Sequence, residues 1–400
     1  MVLPRKDLSM TSPNEPTVAF LSTYLPKQCG LATFTNDLRA AHASPDSFVV
    51  AVDDTRRDFP QEVRFVIEKG DIDSYKAAAD YLNSHADVLS LQHEYGIFGG
   101  SDGSHILELL QKLEIPVMVT LHTVLQDPND GQRRVLRRIC DIAQRVMVMS
   151  DRACDFLSDV YGVPERKIEV IPHGVPESDG VEVASEMEAF GNDPKLLTFG
   201  LLSPGKGIEV GIDAVSKLKP NHPNVRYFVL GKTHPDLVAR EGEAYRDGLA
   251  ARAKELGVEE NIIFVNDFVD LPKLCSYLKG ADIYVTPYRG KDQIVSGTLS
   301  YAVAFGLPVV TTPFIYAEEL VAKGGGLLFP FNDSDKLAEH VGRLLGDPVF
   351  RGRLRNSATI LGRTMRWPVV GRRLREVLGE AIVEHKDKKV QKMREQARLV

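Results

Sequence analysis

The stretch Lys291–Phe314, "KDQIVSGTLSYAVAFGLPVVTTPF", decides the fold. It opens as a polar loop and runs into a short helix of small residues. It then enters "GLPVVTT" (Gly306–Thr312), a buried strand by its apolar run. Just upstream, "GADIYVTPYR" (Gly280–Arg289) is a half-buried strand bounded by turn residues. Strand, loop, helix and strand make a βαβ unit, which offers the start of its helix to a ligand.

Outward from this unit the same alternation fills the chain. "VAFLST", "FVVAVD", "VLSLQH", "VMVTLH", "RVMVMS" and "KIEVIP" read as strands separated by amphipathic helical stretches from Val18 onward. The pattern restarts at "KLLTFG" (Lys195–Gly200) and continues through "VRYFVLG", "NIIFV", "DIYVT" and "LPVVTT". Such alternation predicts parallel sheets covered by helices. Between the halves lies "HGVPESDGVEVASEMEAFGNDP", polar and rich in Gly and Pro, which reads as a linker. The expected division is a disordered lead-in over 1–16, an N-terminal Rossmann-like domain over 17–176 and a linker over 177–194. A C-terminal Rossmann-like domain over 195–365 and a final helix over 366–400 complete it. The chain after Asp347 is helical by its spacing, and its last stretch has a charged, basic face.

A length of 400 residues suits two domains. Hydrophobic residues make up 43% and charged residues 26%, a globular balance. The net charge of −6 gives no electrostatic footprint for nucleic acid. No apolar run approaches the roughly 20 residues of a membrane span. The opening "MVLPRKDLSMTSPNEP" lacks the apolar centre of a signal peptide. Cys29, Cys140, Cys154 and Cys275 are scattered, without a CxxC pair or metal spacing, so the expectation is reduced thiols in a cytoplasmic protein.

In open α/β sheets ligands sit beyond the carboxyl ends of strands, where helix N-termini favour anions. Three junctions have that composition: Gly30 in "LSTYLPKQCGLATFTNDL", Lys206 and Gly207 in "FGLLSPGKGIEVGIDA", and Ser296, Gly297 and Thr298 in the opening stretch. Each alone is weak, because glycine at a βα turn is most often backbone geometry; their joint order is more specific. There is no G-x-G-x-x-G with a following acidic residue, no G-x-x-x-x-G-K-[ST], no zinc spacing among the histidines and no G-x-S-x-G elbow, the one match to that spacing, "GGSDG" (Gly99–Gly103), falling in a polar, glycine-rich loop. Dehydrogenase, kinase, hydrolase and zinc chemistry are set aside on that basis.

From Val18 to about Glu384 the order of motifs resembles the retaining glycosyltransferases of GT-B fold, family 4 (glycosyl transferases group 1). "VIPHGV" (Val170–Val175), "SYLKGADIYVTP", "GTLSYAVAFGLPVVTTP" with the later "AEELVAKGGGLLFPFND", and "RWPVVGRRL" carry the resemblance. It implies two Rossmann-like doubly wound domains facing a cleft, with the C-terminal helix crossing back to the N-domain. It further implies that Gly30 lies under the donor and that His122 faces the donor sugar. Lys206 would neutralise the leaving phosphate, with Gly207 beside it, while Ser296, Gly297 and Thr298 offer backbone N–H groups. His93 and Glu94 would stand on the acceptor side, and Glu319 matches a later Glu of the signature. Acceptor recognition would fall on variable loops such as Asp53–Phe59 and Phe98–His105. No metal and no cofactor is implied; the ligands are a small-molecule sugar donor and an acceptor.

Three charged positions of the family pattern depart. Aligned on Gly306, the two carboxylates that bind sugar and ribose become Gln293 and Tyr301, and the arginine of the diphosphate clamp becomes Leu201. Leucine cannot replace a bidentate arginine–phosphate contact. The sequence therefore leaves three functions open. One is retaining transfer of a hexosyl unit from a nucleotide-sugar. The second is a retaining glycoside phosphorylase using inorganic phosphate or a sugar 1-phosphate. The third is a non-catalytic sugar- or phosphate-binding protein. The donor, the acceptor and the oligomeric state are not readable.

Overall fold

The computed structural model describes residues 15–55 and 57–397. Most of the lead-in expected over 1–16 therefore lies outside the described residues. The first sheet is built from β1 (Val18–Ser22), β2 (Phe48–Asp53), β3 (Val63–Glu68), β4 (Val88–His93), β5 (Val117–Leu121), β6 (Arg145–Val148) and β7 (Ile168–Val170). Their spatial order is β3-β2-β1-β4-β5-β6-β7, and every pairing is parallel. The second sheet contains β8 (Lys195–Phe199), β9 (Arg226–Leu230), β10 (Ile262–Val265), β11 (Ile283–Thr286), β12 (Val309–Thr311) and β13 (Gly326–Leu328). It is ordered β10-β9-β8-β11-β12-β13, again all parallel. Each sheet thus reverses direction once, between β1 and β4 and between β8 and β11. Those reversals are where doubly wound sheets open a crevice for ligands.

The central strands are buried on both faces, so they read as continuous apolar runs. Two strands are absent from the sequence reading. In β3, "VRFVIE", the exposed face carries Arg64, Val66 and Glu68, so the charged ends break the apolar run of an edge strand with one wet face. The other, β13, has only three residues and is too short to give a periodic signal.

The long final helix, Trp367–Ala397, returns to the first domain. Val370, Leu374, Val377 and Leu378 form a helical stripe buried among Val18, Phe20 and Leu38. Burying side chains of the Val and Leu class contributes roughly 1.5–3 kcal/mol each against leaving them exposed. Arg375 donates from Nη1 to the carbonyls of Ala41 and His42 at 3.0 and 2.9 Å, and Arg373 pairs with Glu169 at 2.7 Å. The segment expected as a linker is packed rather than free: it contains the short helix Ser185–Glu188, and Ala184 and Met187 are buried in the core of the second domain.

Candidate functional site

In the second domain the turn after β8 and the loop after β11 meet at the reversal of strand order. The 3₁₀ turn Pro204–Lys206 ends on Gly207 at φ 62°, a left-handed conformation, and a Cβ there would lie 2.0 Å from the Pro287 carbonyl oxygen. Only glycine lets this turn close against the β11 loop. The turn carries Lys206, whose Nζ lies 3.9 Å from the centroid of the Tyr288 ring. Tyr288 in turn shares a 2.9 Å hydrogen bond between its hydroxyl and Thr298 Oγ1. Thr298 is at the start of the helix Gly297–Ala304, whose N-cap Ser296 accepts the Leu299 N–H on Oγ at 3.3 Å. The structure therefore brings Lys206, Gly207, Ser296, Gly297 and Thr298 together around Tyr288, which was not singled out in the sequence. A cation and a helix N-terminus facing one spot are suited to an anion.

In the first domain His122 follows β5 and His93 ends β4. The His122 ring lies against Phe34, centroids 4.8 Å apart, and its Nε2 is 3.1 Å from Gln92 Oε1. Burial, and then the neighbouring rings of His173 and His93, push its pKa down to about 3. His93 is wholly buried against Tyr95 and Phe98, and among the described residues neither ring nitrogen has a hydrogen-bond partner. Burial alone drives its pKa to about 3. Both imidazoles are thus neutral at physiological pH. Glu94 is committed locally: its carboxylate accepts the Tyr95 N–H at 3.0 Å and the Thr123 hydroxyl, tying the exits of β4 and β5. Gly30 opens the helix Gly30–His42 and is exposed, with the Cys29 thiol capping the helix by accepting the Ala32 N–H.

His173 bridges the two halves. Its Nδ1 donates to the Gly174 carbonyl at 2.7 Å, and its ring lies 5.0 Å from Phe34 and 6.0 Å from Tyr301, centroid to centroid. The place a Cβ would take on Gly297 is 3.0 Å from His173 Nε2. This imidazole therefore stands between the first domain and the start of the anion-facing helix, with burial lowering its pKa to about 4. The signal that could have found it was "VIPHGV", read in the sequence only as the entrance to the linker.

The departures have a structural counterpart. Tyr301 is 8% exposed and belongs to the core of its domain, and Leu201 is half-buried. Gln293 turns inward: Nε2 donates to Val295 O at 2.9 Å, and its own carbonyl accepts the Tyr316 N–H at 3.1 Å. The loop that carries Gln293, between β11 and the helix at Gly297, does not stand open. Ile294, 5% exposed, is part of the hydrophobic core of the first domain, and Val295 packs against cores of both domains. Two apolar side chains thus cross the interface directly before the helix at Gly297. Glu319 fastens the same interface: Oε2 accepts the Asp151 and Arg152 N–H groups at 2.9 and 3.3 Å, and Lys323 pairs with both Asp151 and Glu319. Beside the Lys206 turn, Arg289 donates its N–H to Gly205 O at 3.0 Å and reaches Glu209 at 3.5 Å.

Among the described residues, no group of three or more His, Cys, Asp or Glu is placed to hold a metal ion, and no helix is long and apolar enough to cross a membrane.

Comparison with known proteins bears on this geometry. The family described as Glycosyl transferases group 1 matches residues 183–360, and Glycosyltransferase Family 4 matches residues 38–179. The chain is 28% identical over 263 residues to a GDP-mannose-dependent alpha-(1-6)-phosphatidylinositol monomannoside mannosyltransferase of Mycolicibacterium smegmatis, covering 62% of this chain and 65% of the relative. It is 25% identical over 301 residues to a D-inositol 3-phosphate glycosyltransferase of Acidothermus cellulolyticus, covering 71% and 66%. The chain thus spans just under two thirds of the length of these curated relatives. Among solved structures it superposes on HepE of Anabaena in complex with UDP, with a TM-score of 0.73 and 16% identity, over 91% of this chain and 100% of the other. The sucrose-phosphate synthase of Thermosynechococcus elongatus superposes equally well, with a TM-score of 0.73 and 18% identity over 92% and 100%. With two family matches end to end over paired parallel α/β domains and a returning C-terminal helix, the chain belongs to the group 1 glycosyltransferases of GT-B fold.

Proposed function

We propose that this protein transfers a hexosyl unit from a nucleotide-sugar to a hydroxyl acceptor, without a metal and with retention at the anomeric carbon. The observation that carries the reading is the convergence of Lys206 and the helix start at Gly297–Thr298 on one spot above Tyr288. There they would receive the departing diphosphate. The bond from the anomeric carbon to the diphosphate breaks, and the acceptor oxygen bonds to that carbon on the same face. The acceptor proton passes to the departing phosphate oxygen. Protein groups position the reactants and stabilise separating charge, so no protein nucleophile is required. His122 and His173, both neutral, offer hydrogen bonds rather than charge to the sugar side. No cofactor beyond the substrates enters this scheme. The named relatives use an inositol-containing lipid or an inositol phosphate as acceptor, which supports a polyol acceptor here. Four unpaired thiols suit a reducing compartment, supporting a cytoplasmic location.

A second reading, phosphorolysis of a glycoside by inorganic phosphate, is favoured by the core position of Tyr301, which offers no carboxylate to a ribose. Melting temperatures measured separately with UDP, GDP, ADP, sugar phosphates and inorganic phosphate decide between the two. A ligand binding only the folded state adds roughly 2.7 kcal/mol of stability at a hundred times its Kd. A shift with one nucleotide supports transfer. A shift with phosphate or a sugar phosphate alone moves the assignment to phosphorolysis.

A further inference from the structure

The helix Asp130–Ile142 follows β5, on the rim of the sheet that carries His93 and His122. Val135, Leu136, Ile139 and Cys140 are buried, which fixes the rotation of the helix. Arg133, Arg134, Arg137 and Arg138 are consequently held on the exposed face. With Ser101 and Ser104 from the segment after β4, they line a groove of about 590 Å³. Arg133 donates to the Val160 carbonyl at 3.0 Å. Among the described residues none of the four arginines has a carboxylate within ion-pair distance, whereas Arg57, Arg145, Arg226, Arg252 and Arg373 are all paired.

Two carboxylates, Asp130 and Asp141, also line the groove. Four guanidinium groups against two carboxylates leave it net positive, on a chain whose net charge is −6. Arg133 with Arg137 and Arg134 with Arg138 are like-charge pairs at i,i+4, which repel each other on a helix surface. A bound anion would relieve that repulsion. Guanidinium forks match phosphate oxygens with two parallel hydrogen bonds, and serine hydroxyls can donate to the same oxygens.

We infer that this groove is a binding site for a phosphate-bearing ligand carrying more than one negative charge. The phosphate is either that of a free polyanion or that of a phospholipid headgroup. The site is separate from Lys206 and does not depend on the nature of the sugar donor.

The test uses the full chain and two probes: inorganic tripolyphosphate in calorimetric titration, and phosphatidylcholine vesicles with and without phosphatidic acid in sedimentation. Binding to at least one anionic probe is expected, weakening as salt is raised. Retention of that binding by Lys206→Ala, together with at least about tenfold loss in the Arg134→Gln, Arg137→Gln, Arg138→Gln triple variant, supports the groove. Binding to tripolyphosphate assigns a soluble ligand; binding to phosphatidic acid vesicles alone assigns a headgroup. No binding to either probe overturns the inference, as does binding that the triple variant keeps or that Lys206→Ala abolishes. Should the triple variant fail to fold, Arg137→Gln and Arg138→Gln are measured singly, and unchanged affinity in both overturns it.

Discussion

Lys206 holds its ammonium 3.9 Å from the centre of the Tyr288 ring, whose hydroxyl is hydrogen-bonded to Thr298. The aromatic face attracts the cation and keeps it near the helix start, where a departing phosphate would need it. Replacing Lys206 with Ala removes the charge while leaving the turn intact. Turnover is expected to fall about 10²–10³-fold, the usual loss when one electrostatic donor to developing charge is deleted. Steady-state kinetics with the donor identified by thermal shift measure it, and unchanged turnover would reject the anion site.

Leu201 occupies the position at which the resemblance places a clamp arginine. Leu201→Arg returns a second cation to the exit of β8, where the side chain is only half-buried. Affinity for the nucleoside diphosphate is expected to rise about tenfold, in line with a charge-assisted hydrogen bond. Titration of both proteins checks this. A weaker complex would mean that Leu201 contributes apolar contact and the diphosphate lies elsewhere.

Ile294 inserts into the core of the first domain from a loop of the second. Truncation of a buried Ile to Ala typically costs 2–5 kcal/mol. The unliganded Ile294→Ala protein is therefore expected to melt at lower temperature. If the loop must withdraw before a sugar enters, the same variant gives a larger ligand-induced melting shift than the parent. Equal shifts in the two proteins would show that the loop stays in place when ligand binds.

His93, His122 and His173 have pKa values lowered to about 3, 3 and 4, and His42 to about 4, in each case chiefly by burial. Below a pKa of about 6.5 the unfolded chain binds protons that the folded chain refuses. The stability contributed by these four groups is thus fully present above about pH 6.5 and is lost as pH falls toward 4 and 3. Asp37 acts in the opposite sense: burial raises its pKa to about 6, so it favours the folded state on acidification. Four imidazoles outweigh one carboxyl. Urea midpoints are expected to hold steady from pH 8 to 7 and to fall between pH 6.5 and 4, and a flat profile over that window would contradict the buried, neutral assignment.

The alternating apolar runs were enough to place eleven of the strands: nine are buried almost throughout and carry a continuous apolar signal that does not depend on their partners, and the edge strands β7 and β10 are half-buried yet still keep short apolar runs. Edge strand β3 and the three-residue β13 escaped, one through its wet face and the other through its length. At the site, Lys206, Gly207 and Ser296–Thr298 were legible, since a turn or a helix start is a local feature. His173 was quoted but given no role, and Tyr288 was passed over as part of a strand end. The contacts that give them a place in the site, Phe34 against His173 and Lys206 over Tyr288, come from residues far away in the chain.

The sequence by itself determined that two doubly wound domains follow one another and that a long helix closes the chain. Periodicity, turn residues and strand lengths are properties of short segments. Only the tertiary structure decided that the polar-looking loop after β11 buries Ile294 and Val295 in the opposing domain, and that His173 stands between Phe34 and Gly297. Those contacts depend on how two separately folded sheets face each other. Side-chain burial across a domain interface is set by that relative placement, and no local pattern of residues encodes it.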